Sequence, residues 1–275
     1  MLSLNTNMTS LLVQRNLAKA TEGINRVMMQ LTTGYKLNSA KDNPANYAIA
    51  KNMETKLHSW DVAQSNMSMG YDMLEVASSS AELIGKHISR IRDLCEQACN
   101  GTYGTQSINA IKTEVQGRID EINRIRLNTE YNDIQLFGEV DANGIITPKN
   151  INLQIGIDSS ASSRLSVDTT LSLSELNNIE DWDITNSETL DKLDGLLDEI
   201  WDYNVRIGAS QNRLEYALES SDVIVTNLTS SLSTIRDADV AKVSSDLIRY
   251  QILQQACATL LATANQMPAI ALQLI

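Results

Sequence analysis

The sequence predicts a mainly α protein, built from long antiparallel coiled-coil-like helical rods with a small β-hairpin region inserted between them. Three observations predict this class. Apolar residues recur at alternating steps of three and four over two long stretches, which is typical of helices that pack along a narrow seam. Only three Pro occur in 275 residues, so few positions interrupt a helix. A segment between the two stretches alternates apolar and polar residues, which is the period of a strand.

Heptad series predict three helices in the middle of the chain. They run from Trp60 to Ala98, from Ile108 to Ile125 with one charged member, and from Leu190 to Ile235. At 1.5 Å per residue, the first would be roughly 58 Å long and the third roughly 69 Å. Helices in globular domains average about 11–12 residues, so these lengths predict rods. The first series comprises Trp60, Ala63, Met67, Gly70, Leu74, Ala77, Ala81, Ile84, Ile88, Ile91, Cys95 and Ala98.

The two ends of the chain carry the same spacing. No charged residue follows Arg249, and the last residues are strongly apolar. Chain ends usually fray into water, so apolar ends are expected to pack on each other or on copies of themselves. The candidate self-assembly residues on the two stripes are Val13, Leu17, Ile24, Val27, Leu31, Leu253, Leu260, Met267, Leu272, Leu274 and Ile275.

Residues 134–173 are predicted to form a few short strands joined by turns. The stretches INLQIGID (151–158) and RLSVDTTLSL (164–173) alternate apolar and polar residues, and GEVDANGIITPKN (138–150) holds turn signals. The segment is too small to be an independent domain, so we expect it to pack against the rods.

Composition excludes several classes of function. The net charge is -12, whereas nucleic acids and anionic membranes bind clustered Lys and Arg. No stretch approaches the roughly 18 apolar residues that suggest a spanning helix. The first twenty residues lack a continuous apolar region and a small-residue cleavage site. These features predict a cytoplasmic protein, or one exported by a route that reads no cleaved signal.

The sequence offers no catalytic, cofactor-binding or metal-binding constellation. It has no phosphate-binding glycine loop and no nucleophile elbow. The three cysteines are Cys95, Cys99 and Cys257, an odd number that does not fit a disulfide framework. Neither histidine completes a ligand cluster with them, so we interpret them as small apolar side chains. The sequence therefore predicts no cofactor, no metal and no enzyme activity.

Asp237 and Asp239, in STIRDADVAK, could be taken for an acid pair. They lie between two heptad series, where a helix break with a new N-cap is the better interpretation, because Asp is a favoured capping residue.

Several stretches resemble bacterial flagellins. LTTGYKLNSAKDNPANYAIA (31–50) is similar to the signature that follows their first helix, and VQGRIDEINRIRLNTEYNDIQLF (115–137) is similar to their second core helix. NRLEYAL (212–218), STIRDADVAK (233–242) and ANQMPAIALQLI (264–275) resemble their C-terminal half. Asn43, Pro44 and Asn46 depart from the pattern and indicate a stiffer loop. The short distance between the strands and the second-half helices implies a short form without outer variable domains.

The resemblance implies a structural subunit that polymerises into the flagellar filament for swimming motility. Residues 1–40 and 238–275 would form the inner filament domain and be disordered in the monomer, and 41–237 would form the rod-like core. The implied partners are further copies of the chain as a helical homopolymer, the flagellar export apparatus, an export chaperone, and the filament cap and junction proteins. The implied location is the extracellular flagellum, reached without a cleaved signal peptide.

Two alternatives remain open at this point. One is a hook–filament junction protein, a relative with similar terminal helices, and DNPAN (42–46) leans towards it because its loop often contains Pro. ALQLI at the C-terminus and EINRIRLNTEYN lean back towards flagellin. The other is a cytoplasmic helical coiled-coil adaptor, which would account for the heptads but not for the strands or the apolar ends.

The resemblance also implies a candidate receptor site. In flagellins that trigger Toll-like receptor 5, the central contact is an Arg, a Leu four residues later and a Glu on the following helix. The matching residues here are Arg90, Leu94 and Glu114. Arg and Leu at this spacing share one helix face, so the sequence predicts a charged group beside an apolar anchor.

We predict that limited trypsin digestion of the monomer trims both ends and leaves a resistant central fragment. The ends carry apolar stripes without a local partner, and such segments open most easily. Mass spectrometry of the fragments over time measures the result. Ends that resist trypsin as well as the centre does would contradict the predicted disorder.

Overall fold

The computed structural model describes residues 7–140, 146–147, 149–173, 176 and 183–273, except for the side chains of 139–140, 146–147 and 267–273. The described residues are mainly helical with short hairpins, which confirms the predicted fold class. The helices are α1 (Met8–Thr33), α2 (Pro44–Ala98), α3 (Thr105–Asn128), α4 (Ser187–Arg236) and α5 (Val240–Gln273). The strands are β1 (Glu130–Tyr131), β2 (Ile134–Gln135), β3 (Glu139–Val140), β4 (Ile146–Thr147), β5 (Asn150–Gln154) and β6 (Arg164–Asp168).

The chain divides into two compact units. Unit 1 comprises residues 1–57 and 226–275, and unit 2 comprises residues 58–225. The terminal helices α1 and α5 belong to unit 1. The core of unit 2 is built from its parts of α2 and α4, from α3 and from the hairpins.

The predicted helices begin earlier than their heptad series. Helix α2 has 55 residues and begins at Pro44, far ahead of Trp60. Proline suits the first position of a helix, because its missing N–H has no intrahelical acceptor there. Asn43 caps this end, since its Oδ1 accepts a hydrogen bond from the backbone N of Asn46 at 3.1 Å. The residues that depart from the flagellin pattern therefore start α2.

The predicted seam of α2 is buried in unit 2. From Ala63 to Ala98 every member of the first heptad series is buried, and Met67, Leu74 and Ile84 have no exposed surface. Their partners on α4 include Leu193, Ile200 and Leu214, which belong to the same apolar cluster. Burying one such side chain contributes about 1.5–3 kcal/mol, so this seam is the main source of stability in unit 2.

Polar members of the α4 series bond to α2 across the seam. The Ser78 hydroxyl donates to Oδ1 of Asn204 at 3.2 Å, and Nε2 of Gln64 donates to Oγ of Ser221 at 3.0 Å. The pairing of early α2 with late α4 residues shows that the helices run antiparallel. A polar group in an apolar seam loses its hydrogen bond if the helices slide, so these pairs favour one register.

The strands form three separate antiparallel hairpins in the described part of the chain. In β6, Leu165 and Val167 are buried while Arg164, Ser166 and Asp168 are exposed, which confirms the predicted alternation. The strand region begins at Glu130, four residues before the predicted segment. Both residues of the β1–β2 turn, Asn132 and Asp133, have positive φ, as a two-residue hairpin turn requires.

We predict that Gly70→Ala destabilises unit 2. A Cβ at Gly70 would lie 2.6 Å from Cδ1 of Leu153, where β5 packs on α2. Overpacking of this kind typically costs about 1–3 kcal/mol. Urea unfolding followed by circular dichroism measures it. The matched control is Gly117→Ala in α3, where a Cβ meets nothing within 4 Å and the helix should gain up to about 1 kcal/mol. Equal effects of the two substitutions would contradict the close approach.

We also predict that Cys95 makes the fold less stable in alkali. Its side chain is 1% exposed, and burial raises the pKa of its thiol from 9.0 to about 11. Between these values the unfolded chain loses the proton and the folded chain keeps it, so stability falls as pH rises from 9 to 11. The shift corresponds to about 2–3 kcal/mol.

The measurement is urea unfolding of the wild type and of Cys95→Val at pH 8 and pH 11. The variant should lose less stability over this range than the wild type does. Cys99→Ser, at an exposed cysteine, is the control that should behave as the wild type does. The same alkaline loss in all three proteins would refute the prediction.

Candidate assembly interface

The terminal helices α1 and α5 pack antiparallel on each other within unit 1. Nδ2 of Asn7 donates to the carbonyl of Ala264 at 2.7 Å, and Nε2 of Gln254 donates to Oγ1 of Thr21 at 3.1 Å. The predicted packing of the two ends on each other is therefore found in this chain. The predicted disorder of these ends in the monomer stays a prediction.

The predicted assembly residues of α1 lie on the buried side of this helix pair. Val13 and Val27 are buried, and Leu17, Ile24 and Leu31 are half-buried. Since α5 is the helix against which α1 packs, these five side chains stabilise the α1–α5 pair in the same chain.

The predicted assembly residues Leu253 and Leu260 do not lie on the seam that α5 makes with α1. These two leucines are 45% and 55% exposed. The buried side of α5 runs instead through Val243, Tyr250, Cys257 and Ala264, with Tyr250 half-buried. Apolar residues cover more than one side of α5, so periodicity alone could not select the side that meets α1.

The remaining predicted assembly residues are the last ones in the sequence. The side chains of Met267 and Leu272 are outside the described part, and so are Leu274 and Ile275 altogether.

Both terminal helices expose large apolar side chains away from their seam. On α1, Met8, Leu11 and Leu12 are 59–72% exposed. Single exposed apolar residues are ordinary, whereas several on one helix pair favour an interaction surface. Sequence periodicity missed Met8, Leu11 and Leu12, because they do not continue the heptad stripe of α1. The α5 members of this outward surface are Val240, Ile248, Ile252, Leu253 and Leu260.

Backbone hydrogen bonds tie the end of α1 to the end of α4. Gly34 ends α1 with a φ of 74°, a left-handed conformation that glycine adopts without strain. Beyond it, the backbone N of Lys36 donates to the carbonyl of Arg236 at 2.8 Å, and the N of Ala238 donates to the carbonyl of Gly34 at 2.8 Å. These bonds join the two segments of unit 1, which are far apart in the sequence.

The side chains of this junction are also paired. The guanidinium of Arg236 lies 4.2 Å from the ring centre of Tyr35 and 3.6 Å from a carboxylate oxygen of Glu54. Asp239 caps α5, because its Oδ1 accepts from the backbone N of Ala241 at 3.0 Å and of Lys242 at 3.2 Å. This confirms the prediction of a helix break with a new N-cap.

The loop between α1 and α2 is held by Asp42. Its Oδ2 accepts from the backbone N of Ser39 at 2.9 Å and of Asn38 at 3.1 Å. The hydrogen bond from the Ser39 backbone is the main cause that lowers the pKa of this carboxyl. Asp42 therefore holds the loop that leads into α2, which is a structural role.

The candidate receptor residues lie in unit 2, and only two of them are accessible. The Arg90 side chain is 45% exposed and lies 3.6 Å from Glu114, which also bonds to Arg118 at 2.9 Å. Leu94 is 3% exposed and belongs to the apolar core. The expected pairing of an exposed Arg with an exposed Leu anchor is therefore wrong, because the helix turns Leu94 inward.

Among the described residues, no group of three or more His, Cys, Asp or Glu side chains could hold a metal ion. In the same part of the chain, no helix has the length and apolar character needed to cross a membrane.

Comparison with known proteins identifies the family. The model of the bacterial flagellin N-terminal helical region matches residues 4–142, and that of the C-terminal helical region matches residues 190–275. A flagellin of Listeria innocua is 29% identical over 286 aligned residues, covering 100% of this chain and 99% of that protein. A flagellin of Halalkalibacterium halodurans is 30% identical over 277 residues, covering 99% of each. The crystal structure of Bacillus cereus flagellin is 23% identical with a TM-score of 0.48, covering 57% of this chain and 88% of that one.

Long helical seams and paired terminal helices, together with the two family models and the full-length relatives, define a helical structural protein that works by assembly. The chain belongs to the bacterial flagellin family. It is a structural subunit of the extracellular flagellar filament and not an enzyme. The full-length matches to proteins named flagellin favour this function over the hook–filament junction protein and the cytoplasmic adaptor.

Proposed function

We propose that the chain polymerises through the outward side of the α1–α5 pair. The observation that carries this proposal is the exposure of Leu253 and Leu260 on α5, beside a seam that α1 already occupies. Burying such side chains between copies removes apolar surface from water and favours assembly. Met267, Leu272, Leu274 and Ile275 continue towards the C-terminus and would add to the same contact.

The seam residues of α1 have an indirect role in this proposal. Val13, Leu17, Ile24, Val27 and Leu31 hold α1 against α5, so they fix the surface that a neighbouring copy meets. If the ends are disordered in the monomer, ordering this pair costs conformational entropy, which burial in the filament must offset.

The family also suggests how the subunit reaches its place. The filament would serve swimming motility. We infer that the chain leaves the cell through the flagellar export apparatus without a cleaved signal peptide. An export chaperone, the filament cap and the junction proteins would be its other bacterial partners. These partners rest on family membership.

The assembly proposal predicts that a Leu253→Asp, Leu260→Asp double variant polymerises poorly. Each buried leucine contributes about 1.5–3 kcal/mol, and each 1.4 kcal/mol changes an equilibrium tenfold, so the critical concentration should rise at least about tenfold. Seeded growth measured by light scattering and electron microscopy tests this.

The matched control is Asn109→Asp, which adds charge at an exposed polar position on α3, in unit 2 and outside the proposed surface. This control should polymerise as the wild type does. Helicity of each variant by circular dichroism separates poor assembly from poor folding. Filaments of normal length from the double variant, at the wild-type critical concentration, would refute the proposed surface.

A second candidate function is recognition by Toll-like receptor 5 of an animal host. The observation that favours it is the partly exposed Arg90–Glu114 pair between α2 and α3. Leu94 would support this surface from the core and would not touch the receptor.

The receptor proposal predicts weaker binding by Arg90→Ala and by Glu114→Ala than by the wild-type monomer. Losing a charged interface contact commonly costs at least about 1 kcal/mol, which is roughly a fivefold change in Kd. Surface plasmon resonance with the receptor ectodomain measures it. The control is Lys86→Ala, an exposed residue one turn before Arg90 on α2. Equal binding by all variants would refute the proposed site. No binding by the wild type would refute the receptor as a partner.

A further inference from the structure

Unit 2 exposes a regular row of apolar side chains on α2. Val62, Met69, Val76 and Leu83 are 60%, 48%, 38% and 44% exposed, and they follow one another at intervals of seven residues. We call these four residues the α2 row. Seven-residue spacing keeps side chains on one side of a helix and is the spacing of helix-to-helix seams. The row is separate from the buried seam that α2 shares with α4.

A second row lies on α4. Trp201, Val205, Tyr216 and Val223 are 59%, 70%, 72% and 57% exposed. We call them the α4 row. The α2 row spans 21 residues and the α4 row spans 22, so their lengths along the helix are about 32 Å and 33 Å. The two rows therefore match in length and in apolar character.

The α2 row points away from α4 of the same chain. Gln64 and Ser78 bond to α4, and a Cβ at Gly85 would lie 3.5 Å from Ile200 of α4. Each of these three positions follows a member of the α2 row by two residues, which is about 200° around the helix. One copy therefore cannot bring its own rows together, since the intramolecular seam holds the opposite side of α2.

The α4 row also lies off the seam. Val205 follows Asn204 by one residue, and Val223 follows Asp222, whose Oδ1 accepts from Gln64 at 2.7 Å. One residue is about 100° around a helix, so the row lies about a quarter turn from the side that faces α2. The described part of the chain thus leaves both rows to solvent.

We propose that the α2 row of one copy packs on the α4 row of the neighbouring copy in the filament. This inference rests on the filament function proposed above. The two rows are different surfaces of one chain, so their contact is heterologous: each copy uses its α2 row on one neighbour and its α4 row on another. Such contacts extend into rings or open helical assemblies, whereas a self-complementary row would close a dimer.

Size explains why this contact does not form between free monomers. A strip about 32 Å long and about 10 Å wide is roughly 320 Å² per partner, well below the roughly 800 Å² per partner of a standard stable interface. The rows therefore bind weakly alone and act once the terminal helices hold neighbouring copies together.

Negative charge beside the two rows also weakens their contact between free monomers. Exposed carboxylates flank both rows, among them Asp61 and Glu75 on α2 and Asp202 and Glu219 on α4. Like charges repel at low ionic strength, and salt near 0.1 M screens them beyond about 10 Å. Salt should therefore strengthen the contact, as expected for apolar rows within an acidic surface.

Cross-linking between two marked copies tests the pairing. In a background of Cys95→Val, Cys99→Ser and Cys257→Val, one copy carries Met69→Cys. The other copy carries a cysteine at one place on the α4 row, in three versions: Val205→Cys, Tyr216→Cys or Val223→Cys. A short thiol-specific cross-linker is added to mixed filaments and to unassembled mixtures. The three versions sample the length of the row, so any register that pairs the rows brings one of them near Met69→Cys.

We expect dimers of the two different copies in filaments for at least one version, and none in unassembled mixtures. Glu75→Cys, at an exposed α2 position outside the row, replaces Met69→Cys as the matched control and should give at least about fivefold less product. Intact filaments without α2–α4 product in all three versions would overturn the inference, and so would dominant products between two Met69→Cys copies. If the background protein fails to form filaments while the wild type forms them, the same cysteines are placed in the wild-type sequence and the products located by mass spectrometry. If the wild type forms none, the filament proposal itself fails.

A second measurement uses Trp201 as a reporter. With Trp60→Phe and Trp182→Phe, Trp201 is the only tryptophan left in the chain. Its fluorescence should shift to shorter wavelength when filaments grow, because packing against the α2 row removes the ring from water. A copy that also carries Met69→Asp and Val76→Asp should lose this shift and show a critical concentration raised at least about tenfold. A filament that forms without any shift of Trp201 would contradict the proposed contact.

Discussion

The antiparallel seam between α2 and α4 is the interaction on which unit 2 depends. Its apolar members are fully or largely buried, and the hairpins and α3 pack against the cluster that it forms. The polar members Asn204 and Ser221 bond across it, so sliding the helices would leave buried groups without partners. Because this seam fixes one side of each helix, it also determines which residues remain on the outside.

Unit 1 is also held by an antiparallel helix seam, but this seam leaves part of the apolar surface uncovered. The apolar stripe of α1 meets α5, and Gly23 lets the helices approach, since a Cβ there would lie 2.6 Å from the ring of Tyr250. Yet α5 carries more apolar surface than α1 can cover. In the proposed filament contact these uncovered leucines would be buried between copies, against the mutual repulsion of chains that each carry a net charge of -12.

The junction at Arg236 connects the two ends of the sequence within unit 1. Backbone bonds at Gly34 and Lys36, the stacking of Arg236 on Tyr35 and the cap at Asp239 all lie within a few residues of the ends of α1 and α4. The break between α4 and α5 is thus held by specific hydrogen bonds and by the contact of Arg236 with Tyr35. The Asp239 carboxylate caps the start of α5 and the Glu54 carboxylate lies beside the Arg236 guanidinium, so these groups position helices.

The sequence alone predicts the helical class, the apolar seams of α1, α2 and α4, the alternation in β5 and β6, and the cap at Asp239. These features follow from local rules: the helix and strand periods and the hydrogen bonds of a short side chain. Stretches such as LTTGYKLNSAKDNPANYAIA also carried the family resemblance.

The tertiary structure was needed to show which side of α5 is covered and which residues beside the predicted seams turn inward. It turned Leu94 inward although Arg90 lies on the same helix one turn before, and it left Leu253 and Leu260 outside although they keep the heptad rhythm. It also moved the first strand to Glu130, because a two-residue turn closes there. The physical reason is the same for the two helix cases. Periodicity states that a helix has an apolar side, but burial depends on which other elements arrive at that side and how far around the helix they reach.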